Sequence, residues 1–194
     1  MGDGFTKAIE DIALGDMVLA SDPETGKTEA REVVGLIVGQ GYKDLVEVTV
    51  DTDGAKGDAS GSVIATDGHP FWVADLKEWV KAADLKPGQW LRTSAGTLVQ
   101  VEAVRPFAQQ RRVHNLTVDG IHTYHVLADL TPILVHNCGD GAEDRLSEIA
   151  DSIKESTPRD SAQALSVKVL VSVRPGFWSP STPPPVLRAP CRAD

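Results

Sequence analysis

From about residue 17 to residue 136 the chain consists of short apolar runs rich in Val, Ile, Leu and Thr, each closed by turn residues. No other feature restricts the fold as much, because this is the pattern of many short strands and gives little support to helix. The runs place strands at 17–20, 29–38, 45–51, 61–66, 89–93, 97–104, 111–118, 122–127 and 132–136. Breakers such as Asp22-Pro23-Glu24-Thr25-Gly26 and Lys86-Pro87-Gly88 set the turns between them. The expected fold class is all-β.

One internal repeat is visible. Asp11-Ile12-Ala13-Leu14-Gly15-Asp16-Met17-Val18-Leu19-Ala20-Ser21 aligns with Asp84-Leu85-Lys86-Pro87-Gly88-Gln89-Trp90-Leu91-Arg92-Thr93-Ser94, and the offset is 73 residues both from Asp11 to Asp84 and from Ser21 to Ser94. Two copies are too few for a solenoid or propeller, so the natural reading is two related halves packed about a pseudo-twofold axis.

Beyond Cys138 the character changes. Leu146, Ile149 and Ile153 recur at helical spacing among acidic residues, which predicts one short amphipathic helix within a linker spanning 139–172. Residues 173–194 hold Pro175, Pro180, Pro183, Pro184, Pro185 and Pro190, half of the twelve prolines in the chain, and read as a disordered Pro-rich tail. The domain proper is therefore expected at 1–138. A chain of 194 residues with 41% hydrophobic content has material for one ordinary core and little more.

The formal net charge of -9 excludes an electrostatic nucleic-acid binder, since no basic stripe exists to neutralise phosphates. No run approaches the ~18 apolar residues of a membrane span, and Met1-Gly2-Asp3-Gly4 lacks the basic and apolar regions of a signal peptide. As written, the chain reads as cytoplasmic, with neither nucleic acid nor membrane as a partner. The two cysteines, Cys138 and Cys191, do not suggest a disulfide framework.

The chemistry concentrates at His136-Asn137-Cys138, which follows the apolar run Pro132-Ile133-Leu134-Val135. An Asn side-chain amide nitrogen can attack its own main-chain carbonyl, close a five-membered succinimide and expel the amine of the next residue. Holding the amide in an attack geometry removes much of the entropic barrier, up to ~7–11 kcal/mol in well-oriented systems. The leaving amine needs a proton, and His, with an ordinary pKa of about 6.5, suits that donation near neutrality. The thiol of Cys138 is also the group that an acyl-transfer step requires. On its own such a tripeptide arises often by chance.

A metal site is the competing reading, because His114, His122, His125, His136 and Cys138 lie close in sequence. His122 and His125 stand an odd number of residues apart on an expected strand, so their side chains should point to opposite faces. The expectation is no metal and no cofactor, with His125 a surface or satisfied core residue. Phe71-Trp72 and Trp79 read as core packing.

Further segments carry a resemblance. Lys7-Ala8-Ile9-Glu10-Asp11-Ile12 with Gly15-Asp16 and Val18-Leu19-Ala20, then Thr66-Asp67-Gly68-His69-Pro70-Phe71-Trp72, then Val113-His114-Asn115-Leu116-Thr117-Val118 to His122-Thr123-Tyr124, and finally Val135-His136-Asn137-Cys138, resemble the successive motifs of the Hint (hedgehog/intein) superfamily. The pretoxin-type and bacterial intein-like Hint domains are the most similar in pattern. The resemblance implies a horseshoe of short strands that acts on its own polypeptide, ahead of toxin modules in large secreted bacterial proteins.

It also implies roles. Thr66 and His69 match the Thr-x-x-His motif that binds and strains the upstream scissile peptide, although a strand-end turn is the better account of the two when they stand alone. His122 matches the histidine that assists Asn cyclisation, and His136 and Asn137 match the penultimate histidine and terminal asparagine. Asn115 stands where many members carry Asp, so a role for it in acyl transfer or proton handling does not follow from the resemblance.

In the family a Cys or Ser nucleophile precedes the stretch that matches Met1-Gly2-Asp3-Gly4. The expectation is a truncated domain limited to cleavage between Asn137 and Cys138. A degenerate domain, or the larger piece of a split system that receives its N-terminal segment in trans, are the alternatives. The function alternative is an inert Hint scaffold serving as linker or interaction module. Loss of a first strand would leave a sheet edge and the surroundings of His69 open.

Overall fold

A computed structural model of the chain describes residues 4–137 and the backbone of 168–172. The described residues form thirteen strands: β1 (Gly4–Ala8), β2 (Met17–Ser21), β3 (Thr28–Gly39), β4 (Tyr42–Asp51), β5 (Ser60–Thr66), β6 (Pro70–Val73), β7 (Glu78–Lys81), β8 (Trp90–Arg92), β9 (Leu98–Gln110), β10 (Val113–Val118), β11 (Thr123–Ala128), β12 (Thr131–His136) and β13 (Lys168–Ser172). Single 3-10 turns lie at Ile9–Asp11, Gly54–Lys56 and Ala82–Asp84. All nine strands expected from sequence are present. β1, β6, β7 and β13 are additional, and the expected strand at 97–104 extends to Gln110. Cys138, the expected amphipathic helix and the Pro-rich tail lie outside the described residues.

The strands join into one coiled sheet in the order β10-β3-β2-β13-β11-β12-β6-β8-β9-β4-β5, with β1 beside β13 and β7 beside β6. β4 shows how the pattern builds this sheet. Val46, Val48 and Val50 face inward, while Glu47 and Thr49 between them stay partly exposed, the period of two expected of a strand with one buried face. All six residues of β11 are buried, so that strand is covered on both faces.

The 73-residue repeat is structural. Ile9–Asp11 and Ala82–Asp84 are both 3-10 turns, and Ile12 and Leu85 just after them are both buried. Gly15 and Gly88 both take the left-handed conformation, with φ of 88° and 93°, which a side chain would strain. Each turn then feeds its strand, β2 or β8. The Gly15 N–H donates to the Val33 carbonyl and that of Gly88 to the Val101 carbonyl, at 2.9 and 2.8 Å. The two halves thus enter the sheet by the same local device.

β2 and β11 meet at one end through side chains. The Thr123 hydroxyl donates to the Ser21 carbonyl at 2.8 Å and accepts from the Ser21 N–H at 3.2 Å. Toward the other end β13 enters between them, pairing Val169 with Val126 of β11 and Val171 with Val18 of β2. On β13 all five residues of β1 also find partners, from Gly4 with Ser172 to Ala8 with Lys168. The described part of the expected linker is therefore a strand. None of the helices among the described residues is long and apolar enough to cross a membrane.

Candidate functional site

β11 and β12 form an antiparallel hairpin in which Thr123 pairs with His136 and Tyr124 with Val135. The ladder continues one step past the strands, since the Asn137 N–H donates to the His122 carbonyl at 2.9 Å. Asn137 is therefore delivered to a set position by an ordinary strand pair. Its side chain is buried, at 6% exposure, and neither Nδ2 nor Oδ1 has a hydrogen-bond partner among the described residues.

His122 is not a strand residue, contrary to expectation. It sits in the turn before β11 with φ of 53°, a left-handed conformation uncommon outside glycine. In a regular ladder His122 and His136 would alternate to opposite faces. The turn breaks that alternation, and the two rings lie 6.5 Å apart. The Nδ1 of His122 is buried with no partner among the described residues.

Thr66 closes β5, and its carbonyl accepts the His69 N–H at 3.0 Å, which makes the tight turn leading into β6. That turn sets the His69 ring edge-on to Phe71 and Tyr124, at 5.8 and 6.3 Å between centroids. Desolvation, with a smaller contribution from His136, pushes the His69 pKa down to about 4. At neutral pH this imidazole is uncharged, so it can accept or share a hydrogen bond but does not serve as a standing acid.

Trp79 was expected only as core packing. It does pack edge-on against Trp72, 5.1 Å between centroids, but its ring also lies 4.8 Å from that of His136. Phe71 is fully buried in the core as expected. Two further residues reach the site without having been singled out from sequence as a pair. The Tyr124 hydroxyl donates to Asn115 Oδ1 at 2.8 Å, and Asn115 Nδ2 donates to the Asn137 main-chain carbonyl at 3.4 Å. Burial raises the Tyr124 pKa above its ordinary value, which keeps that hydroxyl a donor. The sequence signal for Asn115 was its place in the motif Val113-His114-Asn115-Leu116-Thr117-Val118, where many family members carry Asp, and Tyr124 carried none beyond closing the same motif.

His125 is apart from this group. Its Nδ1–H donates to the Leu19 carbonyl at 3.1 Å and its Nε2 faces the Ser21 hydroxyl at 3.4 Å, so it is a satisfied core histidine. Among the described residues no group of three or more His, Cys, Asp or Glu side chains converges as a metal site.

A continuous β fold that ends its last site strand in a buried asparagine beside clustered histidines defines a Hint-type, intein-like domain. Residues 2–138 match the model of the pretoxin HINT domain, and the chain belongs to that family. Among solved structures it is similar to a bacterial intein-like domain from Clostridium thermocellum, at 30% identity and a TM-score of 0.58, covering 69% of this chain and 96% of that one. It shares its fold with a DnaB intein from Synechocystis sp. PCC 6803, at 21% identity and a TM-score of 0.53 over 71% and 96% of the two chains. The gp41-1 intein is similar at 22% identity and a TM-score of 0.50, over 68% and 87%. A comparison with curated protein sequences gives no match.

Proposed function

We propose that this pretoxin Hint domain cleaves its own chain between Asn137 and Cys138 by cyclisation of Asn137. The observation that carries the reading is the Asn137 side chain, buried with both polar atoms unpartnered among the described residues while its backbone N–H is held by His122. Leaving such atoms unsatisfied typically costs about 1–3 kcal/mol each, and buried polar groups without partners are rare enough in folded proteins to need a reason. An amide nitrogen kept out of competing hydrogen bonds is available to attack.

In the proposed step Nδ2 adds to the main-chain carbonyl carbon of Asn137, and the bond from that carbon to the Cys138 nitrogen breaks. Nδ2 loses a proton and the departing amine gains one, so the reaction is balanced without a co-reactant. His136 and His122 are the groups we assign to that proton transfer, a contribution of typically 10²–10⁴ in rate. Thr66 and His69, beside Tyr124, belong to the upstream side of the site, and Cys138 becomes the new N-terminus. The substrate is the polypeptide itself.

Intact-mass spectrometry of the purified chain tests this. Fragments 1–137 and 138–194 should accumulate over hours, and Asn137→Ala should abolish them. Cleavage that persists in Asn137→Ala refutes the mechanism. A wild-type chain that stays whole favours an inert scaffold instead.

A further inference from the structure

We propose that Asn115 is a catalytic residue of this cleavage: its side-chain amide donates to the Asn137 carbonyl oxygen, the atom that gains negative charge when Nδ2 adds, and Tyr124 positions that amide. The proposal rests on the cleavage reading above and assigns it an oxyanion donor.

The orientation of the Asn115 amide is determined by its surroundings. Oδ1 accepts from the Tyr124 hydroxyl at 2.8 Å and from the Leu116 N–H at 2.8 Å. An acceptor facing two donors leaves Nδ2 as the end that points elsewhere, and it points at the Asn137 carbonyl oxygen, 3.4 Å away. That separation is long for a ground-state N–H···O bond, whose ordinary range is about 2.7–3.2 Å. A contact that is loose to the planar carbonyl and tightens as the oxygen becomes negative favours the transition state over the ground state. Removal of one donor of this kind typically slows an enzyme by about 10²–10³.

The same geometry explains what the substitution of Asp would do here. A carboxylate could still accept from Tyr124 and Leu116, but it would turn a bare oxygen toward the carbonyl oxygen and repel the developing charge. Asn115→Asp therefore removes the donor while keeping the shape and the Tyr124 contact. Tyr124→Phe keeps the donor and removes the pin.

The experiment measures the cleavage rate of the full chain by intact mass for wild type, Asn115→Ala, Asn115→Asp, Tyr124→Phe and the double variant Asn115→Ala with Tyr124→Phe, with thermal unfolding of each. Asn115→Ala and Asn115→Asp should be slower by about 10²–10³. Tyr124→Phe should lose less, and its effect should not multiply with that of Asn115→Ala, because both act through one contact. The rate of Asn115→Asp relative to wild type should rise as pH falls toward about 4, where a protonated carboxyl regains a donor. A merely structural Asn115 would not produce that recovery. Cleavage at the wild-type rate in Asn115→Asp, or a pH-independent ratio, overturns the inference and leaves the Asn137 mechanism intact. A wild-type chain that does not cleave removes the mechanism, and the inference falls with it.

Discussion

Both side-chain polar atoms of Asn137 are buried without partners among the described residues, while the surrounding groups are oriented around them. His122 holds the backbone N–H, Asn115 faces the carbonyl, and His136 is packed against Trp79. The other residues with unusual chemistry are His69 and His125, whose pKa values burial pushes down to about 4. Above the ordinary value of about 6.5 both are neutral in folded and unfolded chains, and their contribution to stability is fully present. As pH falls from about 6.5 to about 4 the unfolded chain takes up protons that the folded one refuses. Each histidine then removes about 1.4 kcal/mol per pH unit. Urea unfolding at a series of pH values should show stability falling through that window. The slope between pH 5 and 6 should drop by about half in His125→Gln, whatever the offset caused by the substitution itself. An unchanged slope would contradict the buried neutral state of His125.

At the scale of elements, the strand after the proposed cleavage site is the informative one. β13 pairs with β11, the partner of the strand that leads into Asn137, and it also pairs with β1 and β2. Cleavage between Asn137 and Cys138 would break the chain while leaving those backbone pairings in place. The expected result is that fragments 1–137 and 138–194 co-elute in size-exclusion chromatography under native conditions and separate in denaturant. Val169→Pro combined with Val171→Pro should release the downstream fragment, since proline removes ladder donors. Separate elution of the wild-type fragments would show that β13 does not hold them. The remaining elements follow ordinary rules. The two 3-10 turns with left-handed Gly15 and Gly88 lead symmetrically into β2 and β8, and the buried Val46, Val48 and Val50 anchor the arm formed by β4 and β9.

Over the whole molecule, consecutive strands pair as hairpins, but several neighbours in the sheet are far apart in sequence. Leu116 of β10 pairs with Leu36 of β3, and Val135 of β12 with Phe71 of β6. Loop-closure entropy must be overcome before such pairings contribute, so folding is slow compared with that of helical chains of similar size. Stopped-flow refolding should proceed over about milliseconds to seconds, as for other sheets dominated by non-local contacts, and a microsecond phase carrying the full amplitude would be unexpected. Assembly of the site depends on this late pairing. Asn115 and Asn137 are 22 residues apart in sequence and meet only once β10, β11 and β12 are in register.

Much of the fold is legible along the chain because strand period and turn chemistry act over a few residues. The runs of Val and Ile, the breakers and the 73-residue repeat marked nine strands and the paired glycine turns. β6 was not marked, because Pro70–Val73 is short and buried throughout, without the alternation that identifies a half-exposed strand. The chemistry of His136-Asn137-Cys138 was readable for the same local reason: the attacking amide and the carbonyl it attacks belong to one residue. What surrounds that residue was decided by tertiary structure alone. The left-handed turn at His122, the approach of Trp79 to His136, the lowered pKa of His69 and the Tyr124–Asn115 contact all arise where separate strands converge. Register between distant strands is a property of the assembled sheet, and no short stretch of sequence contains it.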